Sequence, residues 1–262
     1  MKSPYVGLWL LLAVSLSIFL LVAFSDDITL AGHTLKKAPF RSALLGETSS
    51  SDSLYAPLDS LDSGAMEQEI TVSTDSTPKS ILLIGDSMTF NIALRMAKYA
   101  RQNGHQFHAV NWDSSNTKIW AESDTLRYYM DKYKADYIFI SLGSNEVYFK
   151  DPSVRMPYVR KILSVIDTVP YVWIGPPNWN EDTGINDMLA RVCRRGSFFR
   201  SEGMTFERKK DKIHPTRKAS ELWVDSIMRW MPHSAHPILA DFPSDSLGKV
   251  ANHVIFLKAL NK

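Results

Sequence analysis

The stretch Ile81-Leu82-Leu83-Ile84-Gly85-Asp86-Ser87 decides the fold of this chain. Four consecutive aliphatic residues, ended by glycine and aspartate, are typical of a strand that is buried on both faces. Such strands occur in parallel sheets covered by helices, so this segment favours an α/β fold. Gly85 permits a tight turn, and Ser87 follows where the next helix is expected to begin.

The chain repeats this pattern beyond Ser87. Further strands are predicted at 106–112, 137–142, 171–174 and 204–206, and helices at 91–101, 119–133, 154–169, 185–195 and 216–231. The alternation predicts a parallel sheet of five strands with helices on both faces. In such sheets, active sites gather beyond the carboxyl ends of the strands.

Overall composition excludes several classes of function. The 262 residues carry a formal net charge of +2, so nothing at this level calls for a nucleic-acid partner. A single cysteine, Cys193, leaves no intrachain disulfide and no CxxC metal or redox motif, and it is expected to be a small buried hydrophobe. His233 and His236 have no carboxylate or cysteine near them in sequence, so no metal site is expected.

The N-terminus carries an uninterrupted apolar run from Tyr5 to Phe24. About 20 apolar residues are enough to span a bilayer core. Lys2 precedes the run and Asp26 follows it, which predicts that the N-terminus is cytoplasmic and that the rest of the chain lies outside. An uncleaved anchor is favoured because the run exceeds a usual signal-peptide core. A cleaved signal peptide ending at Ala23-Phe24-Ser25 is the alternative, and it would give a secreted form.

The composition divides the chain into four parts. Residues 48–80 are rich in Ser, Thr and Asp, which cannot bury enough apolar area to offset their ordering entropy. The parts are a membrane anchor or signal peptide (1–25), a flexible tether (26–79), an α/β domain (80–231) and a C-terminal extension (232–262). The extension contains an apolar, helix-like stretch, Val250 to Leu260, that is expected to pack on the domain or bind a partner.

Ser87 is the candidate nucleophile. It lies at the carboxyl edge of the first strand, where a helix N-terminus can direct N–H groups at an anion. The alternative is an ordinary N-cap serine, since serine is favoured at that position.

Asp211 and His214 are the candidate orienter and base. A serine nucleophile needs a base, and the base needs a group that orients it. Asp211-Lys212-Ile213-His214-Pro215 follows the fifth predicted strand, and therefore emerges at the same sheet edge. The alternative is a surface aspartate next to a chance histidine. Asn145, after the third strand, can donate its amide to an oxyanion, or it can be a turn asparagine.

Together these segments resemble the SGNH (GDSL-type) hydrolase family over residues 80–231. Gly85-Asp86-Ser87-Met88-Thr89 is similar to its first block, Gly143-Ser144-Asn145 to its Gly-x-Asn block, and Asp211-x-x-His214 to its last block. The resemblance implies a three-layer α/β/α sandwich of flavodoxin type and a triad of Ser87, His214 and Asp211. It also implies that no metal or organic cofactor takes part.

The same resemblance implies an oxyanion hole. Ser87 N–H and Asn145 would supply two donors, and Ser115 aligns with a family glycine whose N–H supplies a third. Glu146 stands where many relatives carry aspartate, and no role is assigned to it. Asp86 and Gly143 are weaker substrate-binding candidates.

Other features bear on the substrate. Trp112, Trp120, Trp173 and Trp179 lie near predicted strand ends, and core packing is expected for Trp120 and Trp173. Trp179, after Gly175-Pro176-Pro177-Asn178, either stacks on a sugar ring or packs in the core. The many lysines and arginines between 191 and 212 are expected to form a solvated basic face.

The expected function is removal of a short acyl group, such as acetyl, from an envelope or extracellular polysaccharide such as peptidoglycan. A glycan is expected as the substrate because the domain is expected to lie outside the membrane. One alternative is an O-acyltransferase that uses the same triad and receives its acyl group from a membrane acyltransferase. The other is a non-catalytic glycan-binding module.

Overall fold

The computed structural model describes residues 73–247, 250 and 254–258, together with the backbone of 28–30 and 33–35. The chain forms two compact units, residues 1–67 and 68–262. In the first unit, strand β1 (Ile28–Leu30) pairs antiparallel with β2 (His33–Leu35), so the predicted tether contains a strand pair. The predicted anchor, Tyr5 to Phe24, lies outside the described residues. No helix within the described residues combines the length and the apolar character needed to cross a bilayer.

The second unit is an α/β domain built on one parallel sheet. Its strands are β3 (Ser80–Gly85), β4 (Gln106–Trp112), β5 (Tyr137–Ser141), β6 (Tyr171–Ile174), β7 (Phe198–Phe199) and β8 (Val254–Leu257). They lie in the order β7-β6-β5-β3-β4-β8, and every neighbouring pair is parallel. The predicted α/β class with a parallel sheet is therefore confirmed, but the sheet has six strands where five were expected.

The prediction of a strand at 204–206 was wrong. The edge strand is instead Phe198–Phe199, where Trp173 N–H donates to the Ser197 carbonyl at 2.8 Å. The first extended residues after the preceding helix take the place beside β6. Met204 and Phe206 pack against the core without joining the hydrogen-bond ladder.

The prediction of a helix-like Val250 to Leu260 was also wrong. Residues 254–257 form β8, which pairs with β4 at the opposite edge of the sheet. A short apolar run cannot be assigned to helix or strand by periodicity alone, and Val-Ile-Phe is a sequence that favours strands. Asp75 and Ile238 form a further parallel bridge, so the described part of the C-terminal extension belongs to the domain.

The helices are α1 (Met88–Gln102), α2 (Thr117–Glu122), α3 (Thr125–Tyr133), α4 (Met156–Ile166), α5 (Ile185–Val192) and α6 (Arg217–Trp230), with a 3-10 turn at Pro152–Arg155. The single helix predicted at 119–133 is two helices, because Ser123 adopts an extended conformation that breaks the first. On one face of the sheet, side chains of α2 to α5 pack against the strands in a core that includes Trp120, Trp173 and Cys193. On the other face, α1 and α6 form a second core. These three residues are buried, as predicted from the sequence.

The strand order places a crevice at the carboxyl ends of β3 and β5. From β3 the chain crosses to β4 on one side and then to β5 on the other side. The loops that leave β3 and β5 therefore diverge. This divergence is the switch point at which open α/β sheets bind their ligands.

Candidate active site

The turn after β3 requires glycine and exposes a serine hydroxyl. A Cβ atom at Gly85 would lie 2.1 Å from the Ser141 carbonyl oxygen, so no side chain fits there. Ser87 follows with φ −60° and ψ −17°, directly before α1, and its side chain makes no capping hydrogen bond. The Ser87 hydroxyl therefore does not cap the helix, which was the alternative role considered for it. Ser87 Oγ lies 2.8 Å from Nε2 of His214.

His214 links Ser87 to Asp211. Its Nδ1 lies 2.9 Å from Asp211 Oδ2, while Asp211 Oδ1 accepts the backbone N–H groups of Ile213 and His214, also at 2.9 Å. The hydrogen bond from the His214 ring, followed by those two N–H groups, holds the pKa of Asp211 well below its usual range. An ionised carboxylate can only accept, so Nδ1 of His214 donates to Asp211, and Nε2 is the ring nitrogen that faces the Ser87 hydroxyl.

A short hairpin, residues 207–216, carries this pair and is called the histidine hairpin below. Lys209 N–H donates to the His214 carbonyl at 2.8 Å, and Thr216 N–H donates to the Glu207 carbonyl at 2.8 Å. Lys212, at the tip, has φ 59°, a left-handed conformation that is uncommon outside glycine. The tight tip lets Asp211 reach both the backbone and the ring of His214.

Arg208 joins the histidine hairpin to the loop after β6. Its guanidinium donates to the carbonyl of Ile213 and, at 2.5 Å, to the carbonyl of Asn178. Desolvation lowers the pKa of this guanidinium. The sequence placed Arg208 on a solvated basic face, and its bridging position depends on a residue 30 positions away.

The loop Gly143–Glu146 follows β5 and is called the asparagine loop below. Gly143 has φ 123°, and a Cβ atom there would lie 3.2 Å from Pro176, so only glycine fits without strain. Asn145 donates its side-chain amide to the Ser115 carbonyl at 2.8 Å. An amide has two N–H groups, and the second has no acceptor among the residues that the structure describes.

Asp86 is a buried residue of the turn that carries Ser87. It is fully buried, with Oδ1 accepting Met88 N–H at 3.0 Å and Oδ2 accepting Ser144 N–H at 3.2 Å. Burial raises the pKa of Asp86 to about 7. Gly143 is buried too, so neither residue exposes surface for a substrate, and the contacts predicted for them stay predictions. Asp86 instead joins the turn of Ser87 to the asparagine loop.

Ser115 does not offer the oxyanion donor expected of it. Its N–H donates to the Trp112 carbonyl at 3.1 Å, its hydroxyl accepts Trp120 Nε1–H at 2.9 Å, and its side chain and backbone are fully buried. The carbonyl is used by Asn145, as described above. By contrast, Ser87 N–H has no acceptor within the described part of the chain. The donors that remain for an oxyanion are Ser87 N–H and the Asn145 amide.

Glu146 is the residue that the sequence analysis missed. It is fully buried, accepts the Thr117 N–H at 3.2 Å and the Thr117 hydroxyl at 2.5 Å, and lies 3.1 Å from Arg155 Nε in an ion pair. Burial raises the pKa of this carboxyl. Because Thr117 is the first residue of α2, Glu146 fixes that helix against the asparagine loop. Its position beside the Gly-x-Asn block was the only signal in the sequence.

Tryptophan N–H groups hold the loops at this edge of the sheet. Trp173 donates to the Leu142 carbonyl at 3.1 Å, and Trp179 donates to the Ser144 carbonyl at 2.8 Å. Trp173 is buried, whereas Trp179 stays partly exposed, with Tyr148 beside it at 6.5 Å between ring centroids.

Taken together, the crevice combines a serine hydroxyl, a histidine oriented by a carboxylate, and N–H groups that find no acceptor among the residues described. This combination of groups suits nucleophilic acyl transfer. In the described residues, no group of three or more His, Cys, Asp or Glu side chains is arranged to hold a metal ion. In comparisons with known proteins, no family model, no curated protein and no solved structure matches this chain.

Proposed function

We propose that this chain is a serine esterase or acyl-transfer enzyme with Ser87 as its nucleophile. The observation that supports the proposal is the hydrogen-bonded series from Asp211 through His214 to Ser87, at 2.9 and 2.8 Å. A structural serine would use its hydroxyl locally, and Ser87 does not cap α1.

The proposed reaction has two halves. Ser87 Oγ attacks the ester carbonyl while His214 Nε2 takes the hydroxyl proton, and Asp211 stabilises the imidazolium that forms. The carbonyl oxygen becomes an oxyanion that accepts hydrogen bonds from Ser87 N–H and the Asn145 amide. The alcohol leaves with the proton from His214, and the acyl group stays on Ser87. Water, or a second hydroxyl, then attacks the acyl-enzyme with His214 again acting as base.

The fold agrees with the family resemblance in its strand order. Strands β4, β3, β5, β6 and β7 lie side by side in the order of a flavodoxin-like sheet, with β8 added at one edge. We therefore propose that the domain is an SGNH-type hydrolase with a three-layer sandwich. The proposed substrate remains a short acyl ester on an envelope or extracellular polysaccharide. We propose that residues 5–24 anchor the protein in a membrane and that the domain lies outside it.

The test is turnover of 4-nitrophenyl acetate by the full-length chain. Replacing Ser87→Ala should lower kcat by about 10⁴-fold or more, since the nucleophile is lost and only binding and oxyanion donors remain. Ser164→Ala is the matched control, because Ser164 is an exposed serine of α4 whose hydroxyl donates to the Lys161 carbonyl and to no other group in the described residues. Equal turnover by wild type and Ser87→Ala would rule out the serine mechanism. Acyl transfer to an added sugar at the expense of hydrolysis would identify a transferase.

A further inference from the structure

An exposed tyrosine, Tyr148, lies two residues after the end of the asparagine loop. Tyr148 has 54% of its surface accessible, and its hydroxyl has no hydrogen-bond partner among the described residues. Trp179, on the loop after β6, is partly exposed beside it, with the two rings inclined by 59°. We call these two residues the aromatic shelf. Core packing does not account for Tyr148, because more than half of the residue's surface is accessible.

The shelf is fixed in place by hydrogen bonds between its two loops. Trp179 Nε1–H donates to the Ser144 carbonyl at 2.8 Å. On the other side, the Thr183 hydroxyl contacts the carbonyls of Val147, at 3.2 Å, and of Phe149. The backbone on both sides of Tyr148 is therefore tied to the loop that carries Trp179. A surface that is ordered before a ligand arrives binds it at a lower entropy cost.

The shelf adjoins the group that would bind the oxyanion. Ser144, which accepts from Trp179, directly precedes Asn145, and Tyr148 follows three residues after Asn145. A ligand on the Trp179 ring is therefore close to the loop that carries Asn145, the proposed oxyanion donor. The part of the substrate that meets the shelf is either the acyl group or the alcohol.

The surroundings favour a sugar over a long acyl chain. An acyl chain needs a concave apolar pocket. One apolar cavity, between α1 and α6 and lined by Ile81, Tyr99 and Phe139, has a volume of about 10 Å³ and lies at the amino ends of the strands, so it is too small and too far from Ser87 for such a chain. The shelf is open, and polar side chains adjoin it in sequence, including Lys150 and Asn178. Flat aromatic faces with polar neighbours suit a pyranose ring, which has apolar C–H faces and hydroxyl edges.

We propose that Tyr148 and Trp179 form a subsite for a pyranose ring of the glycan whose ester Ser87 attacks. This inference rests on the proposed function and names its substrate class. It assigns the leaving alcohol to a sugar and places that sugar on the aromatic shelf.

The experiment compares two acetyl esters with the full-length chain. One is O-acetylated tetra-N-acetylchitotetraose, and the other is 4-nitrophenyl acetate, which has no sugar. Tyr148→Ala should lower the ratio of kcat/KM for the sugar ester to that for the aryl ester by about tenfold, because the stacking face is lost. Tyr148→Phe keeps the ring and should keep the ratio. Tyr128→Ala is the matched control, since Tyr128 is 56% exposed and lies on α3.

The outcomes separate the subsite from the proposed function. A wild-type ratio in Tyr148→Ala, or an equal loss in Tyr148→Phe, overturns the subsite. If wild type hydrolyses neither ester, the proposed function fails, and the shelf is then tested by calorimetric binding of unacetylated tetra-N-acetylchitotetraose. Weaker binding in Tyr148→Ala than in Tyr128→Ala supports the subsite, and no binding, or equal binding, overturns it.

Discussion

The histidine hairpin and the asparagine loop both supply the candidate site, yet they are held by contacts of different range. In the hairpin, Asp211 bonds to Ile213 and His214, which are two and three residues away, and its side chain is 43% exposed. The asparagine loop depends on Asp86 and on Ser115, 58 and 30 residues from their partners, and both are fully buried.

This difference predicts whether a substitution in each region reduces catalysis or reduces the stability of the fold. An exposed, locally closed hairpin can lose a catalytic group without leaving a buried polar atom unpaired. The asparagine loop cannot, because each of its partners is desolvated and costs free energy when left alone. Changes in the hairpin should therefore reduce catalysis alone, and changes behind the loop should reduce stability first.

The largest expected effect is on catalysis, from Asp211→Asn in the hairpin. An amide can turn its N–H groups toward His214 Nδ1, which disfavours the tautomer that accepts the Ser87 hydroxyl. We expect kcat for 4-nitrophenyl acetate to fall by about 10³–10⁴-fold. The urea midpoint should stay at the wild-type value, because Asp211 is exposed.

Asp187→Asn is the matched control for this variant. Asp187 is exposed, and it pairs with Arg200 away from the crevice. The control should keep wild-type kcat. A large drop in the urea midpoint of Asp211→Asn would contradict the view of the hairpin as a locally held element.

Glu146→Ala should give the next largest effect, and on stability. Removing the carboxylate leaves the Arg155 charge and the Thr117 donors without their buried partner. We expect the free energy of unfolding to fall by about 3–5 kcal/mol, measured by urea denaturation. Glu146→Gln keeps the size and one acceptor oxygen, and it should lose less.

Glu122→Ala controls for the loss of a glutamate as such, since Glu122 is an exposed residue at the end of α2. Its unfolding free energy should match that of the wild type. If Glu146→Ala is as stable as Glu122→Ala, the buried ion pair does not hold the asparagine loop.

The histidine hairpin and two of the strands were predicted best from the sequence. The strands predicted at 106–112 and 171–174 coincide with β4 and β6, because long apolar runs with clear ends mark buried strands. The spacing of Asp211 and His214 is local, so sequence alone brings them together. Their meeting with Ser87 followed from the rule that parallel strands end at one edge.

The asparagine loop was predicted less well because its contacts are tertiary. Glu146 finds Thr117 29 residues away, and no sequence pattern predicts that pairing. Ser115 aligned with a donor position, but its N–H turns back to Trp112 within the same turn. Which N–H groups are already used is a property of the backbone conformation, and composition and spacing do not report it.

The smallest expected effect concerns pH and the stability of the asparagine loop. Asp86 is buried, and its pKa is raised to about 7, whereas an unfolded aspartate titrates near 3.9. The folded state therefore binds the proton more tightly than the unfolded state does. As a result, the contribution of Asp86 to the free energy of unfolding falls as the pH rises from about 4 to about 7.

Asp86→Asn removes the titration. The unfolding free energy of wild type, relative to Asp86→Asn, should fall by about 2.5 kcal/mol between pH 5 and pH 8. Urea denaturation of both proteins at the two pH values measures this difference. If this difference in unfolding free energy stays constant, or grows with pH, the hydrogen bonds from the two backbone N–H groups to Asp86 outweigh the cost of its desolvation. Asp86 would then be an ionised carboxylate at both pH values.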